Sequence, residues 1–260
     1  MKSVAIIQAR LSSRRLPKKV LLDVGGKTMI EQVVDRIQRC KLVDEIMIAT
    51  SDQDSDQKLV DFCHSRGWTC FRGSENDVLS RYVEAAHQSD AEIIVRITSD
   101  CPLIEPKIVD QVIKLIQRNP KMDYASNFYP LRYFPRGLDC EAFTRKTLMR
   151  LDNLAKTAEY REHVTLFAYR NADQFKIGSI TADSDLSSYR WTVDTIEDLQ
   201  LVRGIYQHFG QDRFTFEQII DAYPRFPEWL ALNQHITQKA TNAPIESGVS
   251  NSGASQESSR

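Results

Sequence analysis

Three short apolar runs, each bounded by polar residues, constrain the fold of this chain more than any other feature. They are residues 4–7, 44–51 ("DEIMIATS") and 91–99 ("AEIIVRITS"). Such compact runs are typical of strands buried on both faces in a parallel sheet. The stretches between them carry apolar residues at helical spacing, as at Met29, Val33 and Ile37. Strands that alternate with helices predict right-handed βαβ units, and therefore an α/β fold with a mainly parallel central sheet and helices on both faces.

The second half of the chain has a less regular pattern. A helix is predicted to begin at Pro106, and residues 174–180 ("QFKIGSI") and 189–193 ("YRWTV") are interpreted as further strands. They predict a smaller mixed-sheet extension within a single domain, residues 1–236. Residues 237–260 are rich in Ser, Asn and Gly and poor in large apolar side chains. Such a segment buries too little surface to offset its ordering entropy, so we predict a disordered tail.

Composition narrows the classes of partner. The chain has 34 Lys and Arg residues and 35 Asp and Glu residues, so it has no excess of basic residues. Nucleic acid is therefore not expected as its main partner. Five scattered cysteines without a C-x-x-C pair favour reduced thiols over disulfides or a zinc site. The apolar run at the N-terminus is too short for a signal-peptide core, and no stretch has the length of a membrane span. We therefore expect a cytoplasmic protein with no membrane partner.

The first apolar run leads directly into a basic loop, "IIQARLSSRRLPKKVL" (residues 6–21). Five of its ten residues from 10 to 19 are cationic: Arg10, Arg14, Arg15, Lys18 and Lys19. The loop follows a predicted strand, and ligands bind at the carboxyl edge of open α/β sheets. Neither a P-loop nor a G-x-G-x-x-G motif is present. The pattern favours phosphate binding by Arg10, Arg15 and Lys19, and the alternative is a solvated basic loop.

Two aspartates follow apolar runs that lie far apart in the sequence. Asp100 lies in "VRITSDCPLI" and Asp194 in "RWTVDTIEDLQLV". Carboxylates at the same sheet edge would suit Mg²⁺ that bridges phosphate oxygens. The alternatives are local: Asp100 would end a strand or cap a turn, and Asp194 with Glu197 would form a D-x-x-E cap for a helix that starts near Ile196.

Two further polar regions are candidates for a binding site. Ser74 and Asp77, in "FRGSENDVLSRY", have the spacing of an ordinary helix-capping signature. A dense polar set occurs in "PRGLDCEAF" and "EYREHVT", and its members are Arg136, Asp139, Glu141, Arg161, Glu162 and His163. Such a set is typical of a pocket for a polyhydroxylated ligand and equally of a polar surface. His163 has no partner at zinc-ligand spacing.

In order and spacing, these segments resemble the cytidylyltransferase family that makes CMP-activated acidic sugars. The chain is most similar to the SpsF-type branch, which is named for spore-coat polysaccharide synthesis. The resemblance spans about residues 2–216, and its most specific part is A-R-x-x-S-x-R-L-P-x-K at residues 9–19. It implies a Rossmann-like nucleotide-diphospho-sugar transferase fold, often dimeric, with CTP and a small acidic sugar as substrates and Mg²⁺ as cofactor.

The resemblance also implies roles for individual residues. Arg10, Arg15 and Lys19 would bind the triphosphate with Ala9 near the base, and Asp100 and Asp194 would hold the metal. Gly73, Ser74 and Asp77 would form the nucleotide-side loop, and the polar set Arg136, Asp139, Glu141, Arg161, Glu162 and His163 would lie on the acceptor side. Lys18 and Ser99 depart from the family, which usually has glycine at the first position and in many members at the second. These departures concern the fit of the nucleotide and remove no charge that the chemistry requires.

We therefore predict a Mg²⁺-dependent enzyme that transfers CMP from CTP to an acidic sugar and releases pyrophosphate. Arg10, Arg15, Lys19, Asp100 and Asp194 would form its catalytic set. One alternative keeps the chemistry but loads a phosphorylated or phosphonate acceptor, or uses another nucleoside triphosphate. The other alternative is a non-catalytic protein that binds nucleotide sugars.

Overall fold

The computed structural model describes residues 1–210 and 213–237, so the predicted tail lies outside the described residues apart from Thr237. The strands are β1 (Ser3–Gln8), β2 (Asp23–Val24), β3 (Lys27–Thr28), β4 (Glu45–Ser51), β5 (Thr69–Gly73), β6 (Ile93–Thr98), β7 (Tyr124–Ser126), β8 (Glu141–Thr144) and β9 (Ile177–Ser179). The helices are α1 (Met29–Ile37), α2 (Gln57–Ser65), α3 (Val78–His87), α4 (Pro106–Arg118), α5 (Arg145–Leu154), α6 (Ala158–Glu162), α7 (Leu166–Arg170), α8 (Ile196–Phe209), α9 (Phe216–Ala222) and α10 (Pro227–Asn233). Within the described ranges, no helix has both the length and the apolar character needed to cross a membrane.

A seven-stranded sheet with the order β5-β4-β1-β6-β8-β7-β9 organises the fold. Only β8 runs antiparallel to its neighbours in this sheet, so the predicted mainly parallel sheet is confirmed. The mixed part is continuous with this sheet, whereas a separate antiparallel ribbon of β2 and β3 follows the basic loop. The chain winds from β1 through β4 to β5 and then crosses to β6 on the other side. This reversal makes the carboxyl ends of β1 and β6 the expected ligand crevice.

Helices cover both faces of the sheet, as predicted. Ala5 and Ile7 of β1 pack in one apolar cluster with residues of α1, α2 and α4. Val4 and Ile6, which point to the opposite face, pack in a second cluster with residues of α3 and α5. All four β1 side chains have no exposed surface. Burial on both faces explains why this run shows no alternation of apolar and polar residues.

A third apolar cluster joins α8, α9 and α10 to the extended segment 189–193. The prediction of a strand there is wrong, because the segment forms only an isolated bridge between Arg136 and Arg190. Its backbone groups bind loops instead: Trp191 N–H donates to the Arg136 carbonyl (2.6 Å), and Val193 N–H donates to the Asp100 carbonyl (2.8 Å). Gly137, at φ +101°, makes this approach possible, since a Cβ there would lie 2.5 Å from the backbone of residues 191 and 192. The segment is thereby held beside Asp100.

Candidate active site

The basic loop after β1 has a fixed base. Lys18 N–H donates to the Leu11 carbonyl (3.1 Å), which closes the loop, and Leu11 N–H donates to Oδ1 of Asp56 (2.7 Å). Asp56 has no exposed surface, and its other oxygen accepts from Thr50 Oγ1 (3.1 Å) and from the Ser51 hydroxyl. Asp56 was not predicted as a residue of the site. The acidic run "DQDSD" (residues 52–56) directly after β4 was an available signal for it.

Lys19 lies at the centre of the site. Its ammonium is 2.8 Å from Oδ2 of Asp100 and 2.9 Å from Oδ1 of Asp194, and it also donates to the Val193 carbonyl (2.7 Å). Asp100 follows β6 and Asp194 precedes α8 by two residues. The structure therefore joins the two predicted metal-binding carboxylates and the predicted phosphate-binding lysine in one cluster.

Opposite charges keep Lys19 and Asp100 ionised despite their burial. Burial disfavours the charged form of Lys19, but the carboxylates of Asp100 and Asp194 outweigh this effect and raise the lysine pKa above 10.5. Burial likewise disfavours ionised Asp100, yet the charge and hydrogen bond of Lys19 hold the pKa of Asp100 below 3.8. At neutral pH, Lys19 is therefore an ammonium and Asp100 a carboxylate.

Two guanidinium groups complete the surroundings of Asp194. Arg15 lies 2.9 Å and Arg190 3.0 Å from Oδ2 of Asp194. Arg190 was not predicted, although it lies four residues before Asp194 in the same quoted motif. Asp194 therefore has a cation at each carboxylate oxygen, with Lys19 at Oδ1 and both guanidinium groups at Oδ2. In this state these cations compensate its negative charge.

The prediction that Asp194 and Glu197 cap the start of α8 is wrong. Thr195 caps the helix: its Oγ1 accepts from Asp198 N–H (3.4 Å), and the Asp198 carboxylate accepts from Thr195 N–H (3.1 Å). The predicted helix start at Ile196 is confirmed. Since Thr195 and Asp198 supply the capping box, the side chain of Asp194 is left for the site.

Arg10 faces the loop between β5 and α3. Its guanidinium lies 3.6 Å from Oε1 of Glu75, and Ser12 Oγ donates to the same oxygen (2.9 Å). About half of the Arg10 side chain is exposed. The predicted triphosphate loop and the predicted nucleotide-side loop are thus opposite each other. Ala9, by contrast, is buried, and its N–H donates to the Ala49 carbonyl (3.1 Å).

The nucleotide-side loop has a compact local structure. A Cβ on Gly73 would lie 2.9 Å from the Phe71 ring and 3.1 Å from Arg81, so a larger residue would require these side chains to move. Asp77 is the N-cap of α3 and accepts from Ser80 N–H (2.8 Å). Ser74 Oγ in turn accepts from Asp77 N–H (3.1 Å). The predicted capping signature is therefore present, with Asp77 as the cap and Ser74 as its support.

Three of the six predicted acceptor-side residues bind internal partners. Arg161 lies 2.8 Å from Asp77 and from Asp152, and Asp139 accepts from Arg132 (2.9 Å). Glu141 has only 2% of its surface exposed. Its carboxylate accepts from Tyr124 (2.8 Å), and also from Arg96 and Thr165. Three donors thus occupy the oxygens of Glu141 and little of it reaches the surface, and its contact with the acceptor stays a prediction.

The other three acceptor-side residues are at least partly accessible. Arg136 lines a cavity of about 90 Å³ together with Ser187 and Ser188, and its guanidinium has no ion-pair partner among the described residues. Glu162 is exposed and His163 is half-buried. Burial lowers the pKa of His163 below 6.5, so its imidazole is neutral at neutral pH. Contact of these three residues with an acceptor stays a prediction.

The donor set at the centre fits Mg²⁺ in one particular way. Mg²⁺ is commonly bound by one or two carboxylates, with waters and substrate phosphates as its other ligands. Asp100 and Asp194 both reach a single ammonium and so supply two such carboxylates. Across residues 1–210 and 213–237, no three His, Cys, Asp or Glu side chains form a group that could hold a metal. Phosphate oxygens of a nucleotide would add further ligands to a metal held by these two carboxylates.

We expect Lys18→Gly to raise the free energy of unfolding by about 1 kcal/mol. Lys18 has φ +58° and ψ +22°, a left-handed conformation that costs an L-residue about 1 kcal/mol and glycine little. Urea unfolding measures the effect. Lys18→Ala is the matched control, since it removes the same charge but keeps the strained Cβ. Equal gains in both variants would attribute the effect to charge and contradict the conformational explanation.

Comparisons with known proteins find relatives of this chain in both sequence and structure. A family model described as cytidylyltransferase matches residues 4–224. The structure of a cytidylyltransferase from Leptospira borgpetersenii superposes with a TM-score of 0.85 at 33% identity, covering 92% of this chain and all of that one. The spore coat polysaccharide biosynthesis protein SpsF of Bacillus subtilis is 31% identical over 79% of this chain and 87% of its own. A 3-deoxy-manno-octulosonate cytidylyltransferase of Geobacter sulfurreducens is 39% identical over 46% of this chain and 47% of its own.

Proposed function

The chain belongs to the cytidylyltransferase family, and from this premise we propose that it transfers CMP from CTP to an acidic sugar in a Mg²⁺-dependent reaction. One observation carries the proposal: Lys19, Asp100 and Asp194 meet at the carboxyl edge of the sheet, with Arg15 beside them. This arrangement offers cations to a triphosphate and carboxylates to a metal in the same place.

The acidic acceptor is supported by the relatives and by one feature of this chain. One relative is named for 3-deoxy-manno-octulosonate, a sugar acid, and another for polysaccharide biosynthesis. In this chain, burial lowers the pKa of the Arg136 guanidinium, and the charges of Arg132 and Arg190 lower it further, although the Asp139 carboxylate acts in the opposite direction. A carboxylate on the acceptor would add to the effect of Asp139 and favour the charged form of Arg136.

The transfer is a displacement at the α-phosphorus. A hydroxyl oxygen of the acceptor forms a bond to this phosphorus, the bond to the oxygen that bridges to the β-phosphate breaks, and pyrophosphate leaves. The hydroxyl proton passes to solvent. Phosphoryl-type transfers of this kind require positioning and neutralisation of charge more than a protein nucleophile.

The residues of the site divide this work. Arg10, Arg15 and Lys19 would bind phosphate oxygens and stabilise the charge that develops on pyrophosphate. Arg15 and Lys19 would exchange their ion pairs with the aspartates for contacts with the triphosphate. Asp100 and Asp194 would then hold Mg²⁺, which supplies further neutralisation of the phosphate charge.

A pyrophosphate-release assay tests the proposal. The four nucleoside triphosphates are each combined with a panel of sugar acids and with phosphorylated and phosphonate acceptors, in Mg²⁺ and in EDTA. We expect release only with CTP, a sugar acid and Mg²⁺ together. Release with another nucleotide or a phosphorylated acceptor would replace the proposed substrates, and CTP binding without release from any acceptor would favour the non-catalytic alternative.

A further inference from the structure

We propose that Asn233, the last residue of α10, is a positioning residue for Asp194. The inference deepens the proposed function and rests on it, because Asp194 is one of the two carboxylates assigned to the metal. Asn233 would act through Asp198 and Arg190, to which its side-chain amide is hydrogen-bonded. It also lies beyond residues 4–224, the part of the chain that the family model matches.

Asp198 connects Asn233 to Asp194 by hydrogen bonds to both residues. Its Oδ1 accepts from Arg190 Nε (2.9 Å) and from Asn233 Nδ2 (2.9 Å). Its Oδ2 accepts from the backbone N–H groups of Asp194 (2.9 Å) and Thr195 (3.1 Å), and from Arg190 Nη2 (3.1 Å). Asp198 is only 1% exposed. A buried carboxylate with this many donors has one favourable orientation, so its position is closely fixed.

Asp198 holds Asp194 in position in two ways. The first route is the backbone, since Asp198 accepts from the N–H of Asp194 itself. The second is Arg190, whose Nη2 bonds both Asp198 and Oδ2 of Asp194 (3.0 Å). The Arg190 side chain is 6% exposed, so water does not readily replace these bonds. The orientation of the Asp194 carboxylate toward Lys19 therefore depends on Asp198.

Asn233 binds Asp198 and Arg190 from a distant part of the chain. Its amide nitrogen donates to Oδ1 of Asp198 and to the carbonyl of Arg190, each at 2.9 Å. Asn233 is 3% exposed, and Trp229 in the same helix is buried in the third apolar cluster. Both bonds of the amide go to the two residues that hold Asp194. A role limited to anchoring α10 does not require that choice of partners.

The test variant is Asn233→Asp, which keeps the shape but replaces the donating amide nitrogen with an acceptor. The new carboxylate would face Oδ1 of Asp198 and the Arg190 carbonyl, and the repulsion between these oxygens would displace the Asp198 carboxylate. The measurement is Mn²⁺ binding to the full chain with CTP and without acceptor, followed by the electron paramagnetic resonance of free Mn²⁺. We expect about 10- to 100-fold weaker Mn²⁺ binding, the usual effect of losing an outer partner of a metal ligand.

Two further variants and a measurement of CTP binding make the result decisive. Gln234→Glu adds the same charge at the next, exposed residue and should leave Mn²⁺ binding unchanged. Asn233→Ala removes the donor without adding charge, and it decides the question if Asn233→Asp does not fold. CTP binding in EDTA should stay within about twofold of the unchanged protein in the Asn233 variants, whereas loss of the fold would abolish it.

Asp194→Asn, measured in parallel, separates the two possible failures. If Asp194→Asn weakens Mn²⁺ binding and a folded Asn233 variant does not, the positioning inference alone is wrong. If Asp194→Asn also keeps the original affinity, the metal assignment of the proposed function is wrong and the inference fails with it. Weaker binding in both, with no change in Gln234→Glu, is the result that supports the inference.

Discussion

Lys19→Met is expected to lower the rate of pyrophosphate release on the order of 10⁴-fold. Loss of a single cation that acts on a transferring phosphoryl group costs about 10³- to 10⁵-fold in related chemistry. In this site the loss also removes the ammonium that lies between Asp100 and Asp194 (2.8 and 2.9 Å). The steady-state rate at saturating CTP, acceptor and Mg²⁺ measures the effect.

A second measurement on the same variant separates its two effects. Without nucleotide, Lys19→Met should bind Mn²⁺ more tightly than the unchanged protein, because the two carboxylates are no longer neutralised by the ammonium. Activity and metal binding would then change in opposite directions, which unfolding cannot produce. Lys18→Met is the control: it removes the neighbouring, exposed lysine and should change neither quantity appreciably. A fully active Lys19→Met would contradict the central role of this side chain.

Asp100→Asn is expected to lower pyrophosphate release about 1,000-fold and to raise the Mg²⁺ concentration at half-maximal rate. Charge stabilisation by a bound metal is worth several kcal/mol, and about 4 kcal/mol corresponds to 1,000-fold in rate. The fold should survive, because Lys19 keeps Asp194 (2.9 Å) and the Val193 carbonyl (2.7 Å) as partners. A Mg²⁺ titration of the rate measures both quantities.

The matched control for Asp100→Asn is Asp52→Asn. Asp52 directly follows β4 and is exposed, and among the described residues its side chain accepts a hydrogen bond from its neighbour Gln53 alone (2.8 Å). It therefore tests the loss of one carboxylate near the same sheet edge without touching the cluster around Lys19. Full Mg²⁺-dependent release by Asp100→Asn would remove Asp100 from the metal site, whatever the behaviour of Asp52→Asn.

The buried strand that precedes the basic loop, and the sheet edge at which the site lies, were predicted well from the sequence. Both depend on local patterns of residues. The run at residues 4–7 contains only apolar side chains, and burial on both faces of a sheet requires such a run. Parallel strands have their carboxyl ends at one edge, so Lys19 and Asp100 were expected at the same place before any contact was known. Their distance of 2.8 Å confirms that expectation.

Errors arose where local signals were ambiguous. Residues 189–193 have the composition of a strand, but their backbone groups bind loops such as that at Arg136. The D-x-x-E spacing at Asp194 suggested a cap, whereas Thr195 one position later makes the capping box with Asp198. Both segments offer two locally similar solutions. The choice between them depends on which groups the rest of the chain brings near.

Local sequence patterns were therefore enough to predict the buried strands β1, β4 and β6, the helices between them and the sheet edge at which the charged residues gather. Only the tertiary structure decided the partners: Lys19 with Asp194, 175 positions away, and Asn233 with Asp198, 35 positions away. It also decided that Glu141 is directed to Arg96 and Tyr124 in the interior. The physical reason is that periodicity and propensity act over a few residues. A hydrogen bond between distant residues requires the whole chain path, the strand register and the packing of helices on the sheet to be fixed first.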